Sequence, residues 1–203
     1  MFRKVIFASA MTLLGAHAAA ATSMVTDLYG KSCKTVETDK GSGANTRLCK
    51  GVGGYSLLVH EANAQTSIDI VTPANAVYPL EYWEVVTPGL SNVGRKAEWR
   101  IEHRKGKVVP VALLVRLDST SEETSRPRIK PGGIITAARI EFDGACVVYQ
   151  GDSAPKLADA TARSAVLERQ RKCLGLFSAT VAAQSAPPCA SVQEKTTSSP
   201  RKR

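Results

Sequence analysis

Histidine is scarce in this chain of 203 residues, with only His17, His60 and His103 present. General acid–base chemistry near neutral pH most often rests on histidine, so the shortage argues against enzymes of that kind. No nucleophile-elbow sequence surrounds any serine. There is no Cys-x-x-Cys, which removes the commonest redox motif. No two cysteines or histidines stand at ligand spacing, so neither a zinc site nor another metal is expected. Long apolar runs are missing as well. The longest spans about 12 residues, short of the roughly 20 that cross a bilayer, so no transmembrane anchor is expected. No cofactor motif survives inspection. Gly30-Lys31-Ser32 mimics the end of a phosphate loop, but Val25 stands where its first glycine belongs. Gly51-Val52-Gly53-Gly54 leads into a strand pattern rather than a helix. Ser153-x-x-Lys156 lacks the companion motifs of penicillin-recognising enzymes and reads as a helix start.

What is present begins at the first residues. Arg3 and Lys4 precede an uncharged stretch, 5–16, and Ala19, Ala20 and Ala21 follow it. A basic start, a short apolar core and small residues at a cleavage site make a secretory signal peptide over 1–21. Cleavage after Ala21 leaves 182 residues starting at Thr22, placed in the periplasm or secreted. Of the formal charge of +9, Arg3 and Lys4 carry two units. Lys195, Arg201, Lys202 and Arg203 against Glu194 carry three more. The remaining +4 is mild. No basic block sits on a recognisable nucleic-acid module, and weak attraction to anionic envelope polymers or lipid surfaces is the partner class left.

From 22 to 177 the chain reads as one β-rich domain. Short runs of Val, Ile, Tyr and Trp alternate with Gly, Pro, Asn and Asp, predicting strands near 32–37, 55–60, 67–71, 80–86, 97–103, 108–117, 134–142 and 146–150. The clearest alternation places Thr136, Ala138, Ile140 and Phe142 on one face. Asp143-Gly144 predicts a tight hairpin, and Arg104-Lys105-Gly106 predicts another more weakly. About eight short strands indicate an antiparallel β-sandwich or a partly closed barrel. One C-terminal helix is expected, capped by Asp152 or Ser153, with Ala158, Ala162, Ala165, Val166, Arg169 and Cys173 on one side. The stretch 118–133 reads as a long polar loop, and 178–203 as a disordered basic tail.

Five cysteines remain in the exported part, and two disulfides among them have 15 arrangements, three for each choice of odd residue. Cys33 and Cys49 bracket a Gly/Asn/Thr-rich connection. Cys146 lies on a strand, and Cys173 closes the following helix. Those pairings are expected, with Cys189 left over in the tail.

Two clusters are candidates for a binding surface. Tyr82 and Trp83 precede Glu98, Trp99 and Arg100 in strands that could be neighbours, and exposed aromatics beside charges suit sugars or partner proteins. Burial of the tryptophans in the core is the competing expectation. Glu98 and Arg100 could pair with each other or with Arg116.

The segments Cys49-Lys50-Gly51-Val52-Gly53-Gly54-Tyr55, Ala97-Glu98-Trp99-Arg100, Val111-Ala112-Leu113-Leu114-Val115-Arg116 and Cys146-Val147-Val148-Tyr149 resemble small exported proteins of proteobacteria of uncharacterised function. The resemblance implies one domain in a bacterial periplasm and carries no catalytic residue. The expected function is a non-catalytic binding or structural domain of the envelope, with an unknown envelope component or protein as partner. The alternatives are a hydrolase of envelope polymers using Glu98 with a second carboxylate, or a hydrolase inhibitor presenting loop 118–133.

Overall fold

The computed structural model describes residues 22–87, 89–119, 132–175 and 178–179. The expected leader, positions 120–131 of the polar loop, and 180–203 of the tail with Cys189 lie outside the described residues. In chain order the elements are β1 (Thr22–Asp27), β2 (Cys33–Thr38), β3 (Asn45–Lys50), β4 (Ser56–Ala62), β5 (Gln65–Val71) and β6 (Val77–Pro79). A one-turn helix α1 (Tyr82–Val85) leads to β7 (Ser91–Arg104), β8 (Lys107–Ser119), β9 (Gly132–Ile140) and β10 (Gly144–Asp152). Helix α2 (Ala158–Leu167) and the short β11 (Ser178–Ala179) complete them.

The strands form two antiparallel sheets. One runs β1-β7-β8-β9-β10-β11 and the other β2-β3-β4-β5-β6. Neither closes on itself, so the barrel alternative falls away. Inward-facing Leu57, Val59, Ile68 and Ile70 of the smaller sheet share one apolar cluster with Trp99, Ile101, Leu113 and Val115 of the larger. A second cluster lies on the opposite face of the larger sheet, where Ala158, Ala162 and Val166 of α2 meet Ala112, Leu114, Ile135, Ala137 and Val148. Small alanines on both partners let the helix approach closely. The molecule is therefore layered as sheet, sheet, helix.

Both expected disulfides are present. Cys33–Cys49 joins directly opposed residues of β2 and β3 with Cα atoms 3.9 Å apart. Cys146–Cys173 ties β10 to the chain that follows α2, at 5.6 Å.

Several expectations need correction. There are eleven strands rather than about eight among the described residues, and two helices rather than one. β1 and β3 escaped because TSMVTD and NTRLCK lack apolar alternation; they are held by pairing with β7 and with β2 and β4. The expected strand at 80–86 is a helical turn, because Glu81 takes a left-handed φ of 51° and turns the chain. Tyr82 N–H then donates to Ser67 Oγ at 3.0 Å.

The two hairpins exchange roles. Lys105 and Gly106 both have positive φ, 49° and 74°, as a two-residue primed turn between β7 and β8 requires. Gly144 takes no positive φ, and its turn closes through Glu141 N–H to Gly144 C=O at 2.8 Å. Phe142, expected to share a strand face with Thr136, Ala138 and Ile140, lies past the end of β9 and is fully exposed. α2 starts at Ala158 with no side-chain cap, while Asp152 Oδ1 accepts from Ala154 N–H instead. Ser178 and Ala179, the first residues of the expected tail, pair as β11 with Ala145 and Gly144.

Candidate functional site

Two clefts lie end to end between β7 and α2. The first, about 340 Å³, includes Arg95, Lys96, Glu98, Arg116 and Asp159. The second, about 660 Å³, includes Arg100, Arg104, Arg139, Val166, Leu167 and Arg169. Both elements supply their residues in the same order. Lys96, Glu98, Arg100 and Arg104 run along β7, and Asp159, Arg163, Val166 and Leu167 run beside them along α2. Glu98 of the first cleft and Arg100 of the second are ion-paired, so the clefts adjoin along one groove, and the Glu98–Arg163 pair links the two elements there.

Irregular pairing aims these side chains. Between Val93 and Ala97 the register with β8 slips, so Gly94, Arg95 and Lys96 bulge toward the first cleft. A second slip, between Arg100 and Ile101, falls at Pro110, which has no N–H for the ladder. Sheet irregularity therefore marks each half of the groove.

The lining mixes apolar and charged residues, and the charged ones are mostly basic. Seven basic residues (Arg95, Lys96, Arg116, Arg100, Arg104, Arg139, Arg169) face four acidic ones (Glu98, Asp159, Glu102, Glu141). Arg163 grips Glu98 through two parallel bonds of 2.8 and 2.7 Å, and Ser23 Oγ donates to the same carboxylate. Burial works to raise the Glu98 pKa, but the hydrogen bonds from Arg163 and Ser23 outweigh it and hold the pKa below its ordinary value. A general acid in glycoside hydrolysis needs the opposite shift. The second carboxylate, Asp159, is engaged by Arg116 at 2.6 Å. The arrangement holds both carboxylates as ion-pair partners rather than as an acid and base flanking a bond.

Arg139 has a different task. Its Nε donates to Glu141 at 2.7 Å, while Nη1 reaches the carbonyls of Glu168, Arg169 and Arg171 at 3.2–3.5 Å. It ties the chain just past the C-terminal end of α2 to the sheet. Arg169, exposed beside it, makes no ion pair among the described residues.

The five residues expected to form one surface are split up. Tyr82 and Trp99 are fully buried, and Trp83 is half-buried on α1. Alternation decides this: Ala97, Trp99 and Ile101 face the inter-sheet core, leaving Glu98 and Arg100 on the groove side. Burial also pushes the Tyr82 hydroxyl pKa up strongly. Only Glu98 and Arg100 reach the groove, one in each cleft, and they lie 3.7 Å apart as an ion pair. The anticipated Glu98–Arg116 pair is absent, because each residue binds α2 instead. Sequence reasoning does not single out Arg139 on β9, Arg163 on α2 or Arg169 just beyond it as groove residues; for the last two the one available signal is their placement on and just beyond an alanine-faced helix.

A separate polar chain crosses the outer face of the smaller sheet. Thr46 Oγ1 lies 3.2 Å from His60 Nδ1, and His60 Nε2 lies 2.9 Å from Asp69 Oδ2. Hydroxyl, imidazole and carboxylate stand in the order of a nucleophile relay. Acyl transfer also needs donors aimed at a developing oxyanion. Here β3, β4 and β5 each have a neighbour on both sides, so the ladder uses their backbone N–H groups.

The hydrogen bond to Asp69 raises the His60 pKa above 6.5, against the opposing effect of burial. A group whose folded pKa is raised stabilises the fold below its unfolded pKa. That contribution is lost as pH rises through the folded value. Denaturation midpoints of the wild-type protein should therefore fall between pH 5.5 and 8.5 relative to those of His60→Gln. The difference should be about 0.5–1 kcal/mol, as for a partly exposed ion pair. Parallel curves for the two proteins across that range would contradict it.

Among the described residues no three His, Cys, Asp or Glu side chains gather to hold a metal ion, and no helix is long and apolar enough to cross a membrane. Fold and site together define a disulfide-bonded, mainly β protein with a cationic groove beneath a single helix. No family model matches the chain, and neither a curated protein nor a solved structure does so.

Proposed function

We propose that this chain works outside the cytoplasm as a non-catalytic domain that holds an anionic polymer of the cell envelope in the groove between β7 and α2. The excess of seven basic over four acidic lining residues carries the reading. Its groove volume, about 660 Å³ in the larger half, suits a chain segment laid along it rather than a small enclosed ligand. Residues 1–21 support export, as do two disulfides, which persist in oxidising compartments. The two sheets sharing one core support a sandwich as the finer fold description. The resemblance to small exported proteobacterial proteins agrees with a periplasmic setting.

Arg104 and Arg169 are exposed, so reversing them leaves the core untouched. The double variant Arg104→Glu/Arg169→Glu should bind a short fluorescent polygalacturonate about ten-fold more weakly than wild type, at up to about 1 kcal/mol for each screened contact. Binding should also weaken with added salt. Every variant retains the basic tail, so the difference reads the groove alone. Equal affinities for wild type and the double variant would refute the assignment.

A further inference from the structure

We infer that the end of the larger sheet bearing Phe142 docks on an anionic lipid surface, placing the groove at the membrane. The inference rests on the proposed export and extends it to a second surface. Strand directions put the β7–β8 and β9–β10 turns at the same end of the sheet, because β8 and β9 run away from it and back. Arg104, Phe142, Leu167 and Arg169 all border the larger cleft, so the end of α2 sits there too.

Phe142 is the apex of this end. Its side chain is 101% exposed, and Leu167 beside the groove is 67% exposed. The neighbouring turn exposes Lys105 and Lys107, which make no ion pair among the described residues, and neither does Arg169. The acids at this end are largely engaged: Glu102 by Arg104 and Glu141 by Arg139, while Asp143 also has a partner. Three cations without an ion pair among the described residues thus lie at the same end as an exposed apolar side chain. Apolar tips insert at the boundary of headgroups and acyl chains, and the cations are drawn to anionic headgroups. Each cation near such a surface raises partitioning by about five-fold. A sugar polymer would instead stack against a ring lying along a groove wall, whereas Phe142 protrudes from a turn at the rim and carries none of the groove's charge.

The test is co-sedimentation of the purified exported protein with vesicles of phosphatidylcholine alone, or of equal parts phosphatidylcholine and phosphatidylglycerol. Wild type should pellet with the anionic vesicles and stay in solution with the neutral ones. Phe142→Ser should reduce anionic-vesicle partitioning by about ten-fold or more, with an unchanged unfolding midpoint and a clearly smaller loss of polygalacturonate binding. Lys105→Glu/Lys107→Glu should reduce vesicle partitioning by about 25-fold or more. Wild type that binds polygalacturonate but not anionic vesicles overturns the lipid inference and leaves the groove reading standing. Failure to bind either overturns both. Equal losses of vesicle and polygalacturonate binding in Phe142→Ser would assign the ring to the polymer and also overturn it.

Discussion

Replacing Trp99 with alanine should destabilise the protein by about 3–5 kcal/mol, the largest effect expected of any single side chain here. Trp99 is fully buried where the two sheets meet. Its indole N–H donates to Thr26 Oγ1 at 2.9 Å, and that hydroxyl donates to the Lys50 carbonyl at 3.2 Å. One side chain therefore links β7 to β1 and, through Thr26, to β3 of the other sheet. Tyr55 packs edge-on against the ring with centroids 6.4 Å apart. A Cβ on Gly51 would come within 2.5 Å of the indole, so glycine is required there. Removing the ring leaves a cavity bounded by two sheets that cannot both collapse into it. Trp99→Phe should cost less, about 1–3 kcal/mol, since most of the volume stays and the lost hydrogen bond dominates. Urea denaturation followed by circular dichroism measures both. A loss under about 1 kcal/mol in Trp99→Ala would mean that the indole does not join the sheets.

The second large effect concerns the Cys146–Cys173 bridge. Its sequence separation of 27 makes the constraint on the unfolded chain worth roughly 3.5 kcal/mol in the loop-entropy picture. Cys146→Ser and Cys173→Ser should each cost about 2–5 kcal/mol, and the double variant no more than either alone, because one bond is lost in all three. The damage should be local. Cys146 packs within the cluster beneath α2, so the helix and the groove it roofs should open before the sheets separate. Faster hydrogen exchange in 158–167 than in β3–β5 would register that order. Additive losses in the double variant would show that the two cysteines act independently. Uniform exchange across helix and sheets would show that the bridge does not anchor α2 in particular.

Much of the fold is legible because strand and helix periodicities are local. Ala97, Trp99 and Ile101 alternate with Glu98, Arg100 and Glu102, and that pattern alone separates core from surface. Ala158, Ala162, Ala165 and Val166 likewise mark the face that α2 buries. Where elements are short and polar, the signal disappears. β3 reads NTRLCK and owes its place to the partners on either side. At Tyr82 the composition points to a strand, but one residue, Glu81, turns the backbone out of it.

By itself, then, the sequence determined a mainly β antiparallel fold, one alanine-faced helix and two disulfides, because each rests on residues close together or on cysteine logic. Only the tertiary structure decided the site. Glu98 and Arg163 are 65 residues apart, and Thr46, His60 and Asp69 meet across three strands. No local pattern encodes those meetings. They follow from sheet order, from register slips at Val93–Ala97 and Arg100–Ile101, and from where α2 settles on the outer face. Each is set by long-range packing, which a sequence expresses only once the whole core has formed.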